Sequence, residues 1–168
     1  MNRDRLGSVW LGLTFIGLGV MLLLGQWLGW GQLWPLFPLL GGLSFLVAYA
    51  LGGFRDAGLV FIGTAAALVG LFFLGFTSGQ WEWGEMERLW PVFPLIGGVA
   101  FCALFVAERA RDLGTLTVGA VALVVGLVGL GITFGMLGKE VVKLWPLLLI
   151  LIGFFGLASG LVRILRNK

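Results

Sequence analysis

Residues 33–42 read Leu33-Trp34-Pro35-Leu36-Phe37-Pro38-Leu39-Leu40-Gly41-Gly42, and the same phrase returns at 89–98 as Leu89-Trp90-Pro91-Val92-Phe93-Pro94-Leu95-Ile96-Gly97-Gly98. Position 33 maps to 89, a shift of 56. A third, degraded copy stands at Leu144-Trp145-Pro146-Leu147-Leu148-Leu149. A phrase repeated at a fixed period marks one structural unit used several times. Proline at a first helical position loses no hydrogen bond, because that N–H has no partner within the helix, so Pro35, Pro91 and Pro146 read as helix starts. The preceding Trp34, Trp90 and Trp145 suit the lipid headgroup level, where an indole buries its ring and still donates its N–H. Pro38 and Pro94 each remove one further first-turn bond, so a slight bend is expected at the start of the first two of these helices.

Working outward, six apolar runs are long enough to cross a hydrocarbon layer of about 30 Å: 6–25, 35–54, 57–76, 91–107, 113–137 and 146–162. The first run is read as an uncleaved span rather than a signal peptide, since it is long for one and lacks a small-residue exit site. An arginine stands twenty residues beyond each of the three prolines, at Arg55, Arg111 and Arg166. Twenty residues of helix rise about 30 Å, so these arginines are placed to reach the phosphates of the opposite surface. Asp56 and Asp112 follow two of them and are positioned to cap the next helix. The expected fold is therefore an all-α integral membrane bundle of six transmembrane helices, arranged as three tandem hairpins at 1–54, 55–110 and 111–168.

Composition supports a membrane protein. Of 168 residues, 60% are hydrophobic and 11% charged, where a soluble domain carries about 25% charge. Mean hydropathy is +1.07. The 29 glycines suit helices that approach closely, and the 8 tryptophans suit interfaces. Charge gives the orientation. Arg3, Arg5, Arg55, Arg109, Arg111, Arg163, Arg166 and Lys168 fall on one side of the expected bundle, against Arg88, Lys139 and Lys143 on the other. By the positive-inside rule both termini are expected in the cytoplasm. Every tryptophan but Trp10 then lies towards the opposite face.

The chemistry these residues exclude is as informative. There is no histidine, the commonest metal and haem ligand and the commonest general base. No catalytic, cofactor-binding or metal-binding residues are expected, and no enzyme activity. The single Cys102 lies within an apolar run and reads as a packed thiol. A net charge of +3, scattered along the chain, offers no nucleic-acid surface. No acidic or basic residue interrupts the runs, which argues against an ion-coupled carrier. Small residues do fall on helical faces, Ser44, Ala48 and Gly52 on the second run and Gly156 and Gly160 on the sixth, and are expected to pack helix on helix. The segment around Trp81, Glu82, Trp83, Glu85 and Glu87 combines indoles with carboxylates and is a candidate cation or partner site, an interfacial segment being the plainer reading.

Hairpins whose second helix opens Leu-Trp-Pro and continues through Pro-Leu to glycine resemble the LiaI/LiaF-type transmembrane region of bacterial envelope-stress proteins. The resemblance covers 33–42, 89–98 and, less well, 144–153. A three-hairpin plan is also similar to the HdeD acid-resistance membrane proteins. What the resemblance implies is a multi-pass protein of the bacterial cytoplasmic membrane, non-enzymatic, regulatory or stress-associated, whose partners are the bilayer and other membrane proteins or itself. An accessory subunit of a larger membrane complex, for example an energy-transducing or photosynthetic one, and a small transporter or lipid carrier are the other functions this sequence allows.

Overall fold

The computed structural model describes residues 3–138 together with Glu140, Lys143 and Gly153. Every regular element among them is helical: α1 (Arg3–Leu28), α2 (Trp30–Leu33), α3 (Leu36–Leu51), α4 (Gly58–Thr77), α5 (Met86–Leu89), α6 (Val92–Ala107) and α7 (Leu113–Thr133), with a 3₁₀ turn at Trp83–Glu85. Trp145, Pro146, Gly156, Gly160 and Arg166 lie outside the described residues, so the third copy of the phrase has no structural account here. Among the described residues three helical paths are long and apolar enough to cross a membrane: Trp30–Leu51, which joins α2 to α3, then α4 and α7. The bent pair Trp83–Leu89 and α6 makes a fourth if it is counted as one. The apolar stretch Thr14–Trp27 of α1 is shorter.

The chain divides into two compact units, residues 1–85 and 86–168. In the first, α4 packs along α3, with α1 against α2 and α3 and with α2 touching α4. In the second, α7 packs along α6 and touches α5. The tightest antiparallel pairs therefore run across the short turns at 52–57 and 108–112. These are the places where the sequence reading draws its hairpin boundaries. A short connection makes its two helices neighbours, and both turns are shorter than the segments that precede α3 and α6.

Each turn is built from backbone conformations that recur at the 56-residue shift. Gly53 and Phe54 have φ of 74° and 60°, and their counterparts Arg109 and Ala110 have 58° and 57°. At the other end of the pair, Gly79 has φ 76° and Gly135 has 73°. Positive φ ends a helix by turning spare N–H groups back onto its last carbonyls. Phe54 N–H accordingly donates to the Tyr49 carbonyl at 3.1 Å, and Ala110 N–H to the Phe105 carbonyl at 2.9 Å. The next helix is then capped. Gly58 N–H donates to Asp56 Oδ1 and Gly114 N–H to Asp112 Oδ1, both at 3.1 Å.

The Trp-Pro corners sit one turn inside the helical path. Pro35 and Pro91 precede α3 and α6 in helical conformation, φ −68° and −69°, and both are fully buried. Because Pro38 has no N–H for the Trp34 carbonyl, Phe37 donates to it at 3.1 Å in an i to i−3 bond. Phe93 does the same for Trp90, also at 3.1 Å, where Pro94 cannot. The path bends by 60° between Trp83–Leu89 and α6, across the break at Trp90-Pro91.

Candidate functional site

Glycine sets the inner faces of both helical pairs. A Cβ placed on Gly42 would stand 2.5 Å from the Gly63 carbonyl oxygen, and one on Gly70 would stand 2.5 Å from the Leu39 nitrogen. The counterparts behave alike: Gly98 to the Gly119 oxygen, 2.9 Å, and Gly126 to the Leu95 nitrogen, 2.9 Å. Real Cβ atoms do not come so close to backbone, so these helices touch backbone to backbone through positions only glycine can occupy. Their neighbours Gly41 and Gly97 meet nothing within 4 Å. Gly63 and Gly70 repeat as Gly119 and Gly126. The small residues expected to pack on the second run, Ser44, Ala48 and Gly52, are not among these contacts, and the signal that finds Gly63, Gly70, Gly119 and Gly126 is the same shift of 56 carried past the Trp-Pro phrase into the following helix.

The small face Ser44, Ala48 and Gly52 has a different setting. Ser44 Oγ donates to the Leu40 carbonyl at 2.8 Å and lines a groove between α1 and α3, with Thr14, Gly17, Met21 and Leu43. The groove encloses about 430 Å³ and its walls are almost wholly apolar. A Cβ on Gly52 would meet only its own helix, the Ala48 oxygen at 3.0 Å. Cys102 is half-buried in the α6/α7 pair, its Sγ facing the Gly119 position.

The end of α4 gathers aromatic residues that the sequence reading treats separately. Trp34 lies 4.9 Å from Phe73, ring centre to ring centre. Trp83 stacks on Phe76 at 5.1 Å and 29°, and on Phe73 at 6.5 Å and 28°. Trp81 folds back over Gly75 and meets Phe72 and Phe76 at 5.7 and 5.5 Å. This return is set by Gly79 and fixed by Gln80 and Trp81 N–H groups donating to the Gly75 carbonyl at 3.0 and 3.1 Å. Phe72 and Phe76 are buried, whereas Trp83 keeps 55% of its surface exposed. One interface anchor and both indoles of the candidate segment thus join one cluster through Phe73 and Phe76. Those phenylalanines were not among the predicted site residues. Phe72-Phe73 and Phe76, on successive turns just before a tryptophan pair, carry the signal for them.

Glu82 and Glu85 flank Trp83 and are exposed, as is Glu87. Among the described residues the one ion pair joins Lys143 to Glu140 at 2.5 Å. Arg88 lies over the Phe134 ring at 5.1 Å. On the opposite turns, Arg55 and Arg111 are exposed. Thr115 Oγ1 donates to Asp112 Oδ2 at 3.0 Å, with Glu108 Oε2 at 3.4 Å, so the cap of α7 is a three-residue polar network. Among the described residues no group of His, Cys, Asp or Glu is placed to hold a metal ion.

The chain matches no protein-family model, no curated protein and no solved structure.

Proposed function

We propose that this chain is a non-enzymatic protein of the bacterial cytoplasmic membrane, stress-associated or regulatory, that works by contact with other membrane proteins. In this reading it crosses the bilayer six times with both termini in the cytoplasm, as three copies of one helical unit. The observation that carries it is the division of labour on the helices. Glycines are spent inside the α3/α4 and α6/α7 pairs, while large apolar residues such as Leu43, Val47, Ile62, Leu71, Val124 and Leu127 stay exposed. A pair closed in this way presents an apolar outer surface whose natural neighbours are lipid tails and other transmembrane helices. The third copy is supported by spacing. Gly153 stands seven residues after Pro146, as Gly42 does after Pro35 and Gly98 after Pro91.

The test is isolation of the full chain from its native membrane in mild detergent, with mass spectrometry of what accompanies it. Specific membrane proteins at variable stoichiometry are expected. A constant stoichiometry within one large complex would make the chain a dedicated subunit instead, and protein-dependent ion flux in proteoliposomes would make it a transporter. Reporter fusions at Lys168 and within 79–84 should fall on opposite sides of the membrane. The same side for both would break the six-span topology.

A further inference from the structure

The second unit shows how one of these corners handles a cation. There α5 packs against α7, and Arg88 of α5 lies over Phe134 at the end of α7, 5.1 Å from the ring centre. At the 56-residue shift the same positions in the first unit are Gln32 of α2 and Ser78 at the end of α4, and α2 likewise packs against α4. The first corner has a far larger aromatic surface, with Trp34, Phe73, Phe76, Trp81 and Trp83, but a neutral glutamine where the arginine would stand. It also carries Glu82 and Glu85, which make no ion pair among the described residues.

We propose that the aromatic shelf at the end of α4, with Glu82 and Glu85 beside Trp83, receives an arginine side chain from a partner protein. Trp83 is fitted to this by how it is held. Phe76 and Phe73 stack nearly parallel to its indole and fix its plane, yet more than half of the residue stays open. An indole face is the strongest aromatic surface for a cation, and a guanidinium stacks on it while its N–H fork reaches a carboxylate. Two exposed carboxylates one and two residues along the chain from such an indole, unpaired among the described residues, select a cationic occupant. The choice of arginine follows Arg88, which the second unit already uses in this way. The inference rests on the partner-binding reading, and it specifies the partner's chemistry.

The experiment uses the purified full chain in an uncharged maltoside detergent. It is titrated by calorimetry with the probe acetyl-Gly-Arg-Gly-Arg-amide and with the same peptide carrying citrulline, the neutral analogue of arginine. Binding of the arginine peptide alone is expected. Affinity should fall about tenfold or more in Glu82→Gln/Glu85→Gln and in Trp83→Ala, and stay unchanged in Glu140→Gln. The double Gln variant preserves side-chain volume on an exposed segment, so it keeps the test valid if Trp83→Ala fails to fold. Equal binding of the citrulline peptide, or indifference to the double Gln change, overturns the proposal. So does loss of peptide binding when phosphatidylethanolamine is doped into the micelles, which would make the shelf a lipid headgroup site. The probe acts on the isolated protein, so this result stands or falls separately from the co-purification of partners.

Discussion

The α3/α4 and α6/α7 pairs are the same construction finished in two ways. Inside, the contacts coincide position by position: Gly42 on Gly63, Leu39 on Gly70, and 56 residues later Gly98 on Gly119, Leu95 on Gly126. At the ends they part. Where the first pair sets Phe73 against Trp34, the second has Gly129, whose added Cβ would stand 2.7 Å from the Pro91 ring. Where the first turn uses Gly53 in left-handed conformation, the second uses Arg109. Where the first ends in a cluster of rings, the second ends in an arginine over a single phenylalanine. Backbone-to-backbone contact tolerates no added atom, so the interiors of the pairs resist change, while the helix ends accept several chemistries.

The largest effect should come from the interior. Gly42→Leu and Gly98→Leu force a side chain into backbone and should each cost on the order of 3 kcal/mol or prevent folding. Gly41→Leu and Gly97→Leu, one residue away in open space, should be neutral or slightly stabilising, since leucine is the better helix former. Thermal unfolding in detergent reads all four. A Gly41→Leu cost equal to that of Gly42→Leu would mean that α3 has a second close partner, and would break the equivalence of the two pairs.

A smaller effect separates the two Trp-Pro corners. Trp34→Ala removes the contact with Phe73 and should cost about 1 kcal/mol more than Trp90→Ala, whose counterpart neighbour is a glycine. Equal losses in the same unfolding assay would show that both indoles act only through lipid. At the opposite turn a reciprocal exchange is informative. Arg109 sits at φ 58°, so Arg109→Gly should raise stability by about 1 kcal/mol, and Gly53→Ala, imposing a Cβ at φ 74°, should lower it by a similar amount. If Arg109→Gly lowers stability, the arginine side chain contributes more than its backbone strain costs.

The sequence locates these elements more readily than their faces. Apolar runs bounded by Trp-Pro and Arg-Asp mark where α3, α4, α6 and α7 lie, because helix starts and stops depend on local chemistry: Pro35, Pro91, Asp56 and Asp112 act within one turn. The packing faces need two helices at once. Ser44, Ala48 and Gly52 form a good small-residue row on one helix, but the closest approach is made by Gly42, and only the partner's Gly63 reveals it. The six-span count depends on residues beyond those described and on α1, whose apolar stretch Thr14–Trp27 is shorter than the other spans. The aromatic cluster depends on a reversal at Gly79 that brings Trp81 back six residues onto Gly75, and a positive φ at one glycine among 29 leaves no mark in composition.

The smallest expected effect tests the arginine that distinguishes the second corner. Arg88 and Phe134 are both exposed, so water and salt screen the charge, and a cation over a ring in that setting contributes about 0.5–1 kcal/mol. Arg88→Gln alone mixes that term with changes in helix propensity and in the hydration of α5. A double-mutant cycle of Arg88→Gln and Phe134→Leu isolates it, because the coupling is what remains after both single effects are subtracted. A coupling of about 0.5 kcal/mol that persists in high salt is expected if the guanidinium stacks on the ring, since the attraction to the quadrupole acts at contact distance. A coupling that vanishes with salt would mark a loose electrostatic association. A coupling of zero would leave Arg88 unconnected to Phe134, and the second corner would then offer no precedent for an arginine at the first.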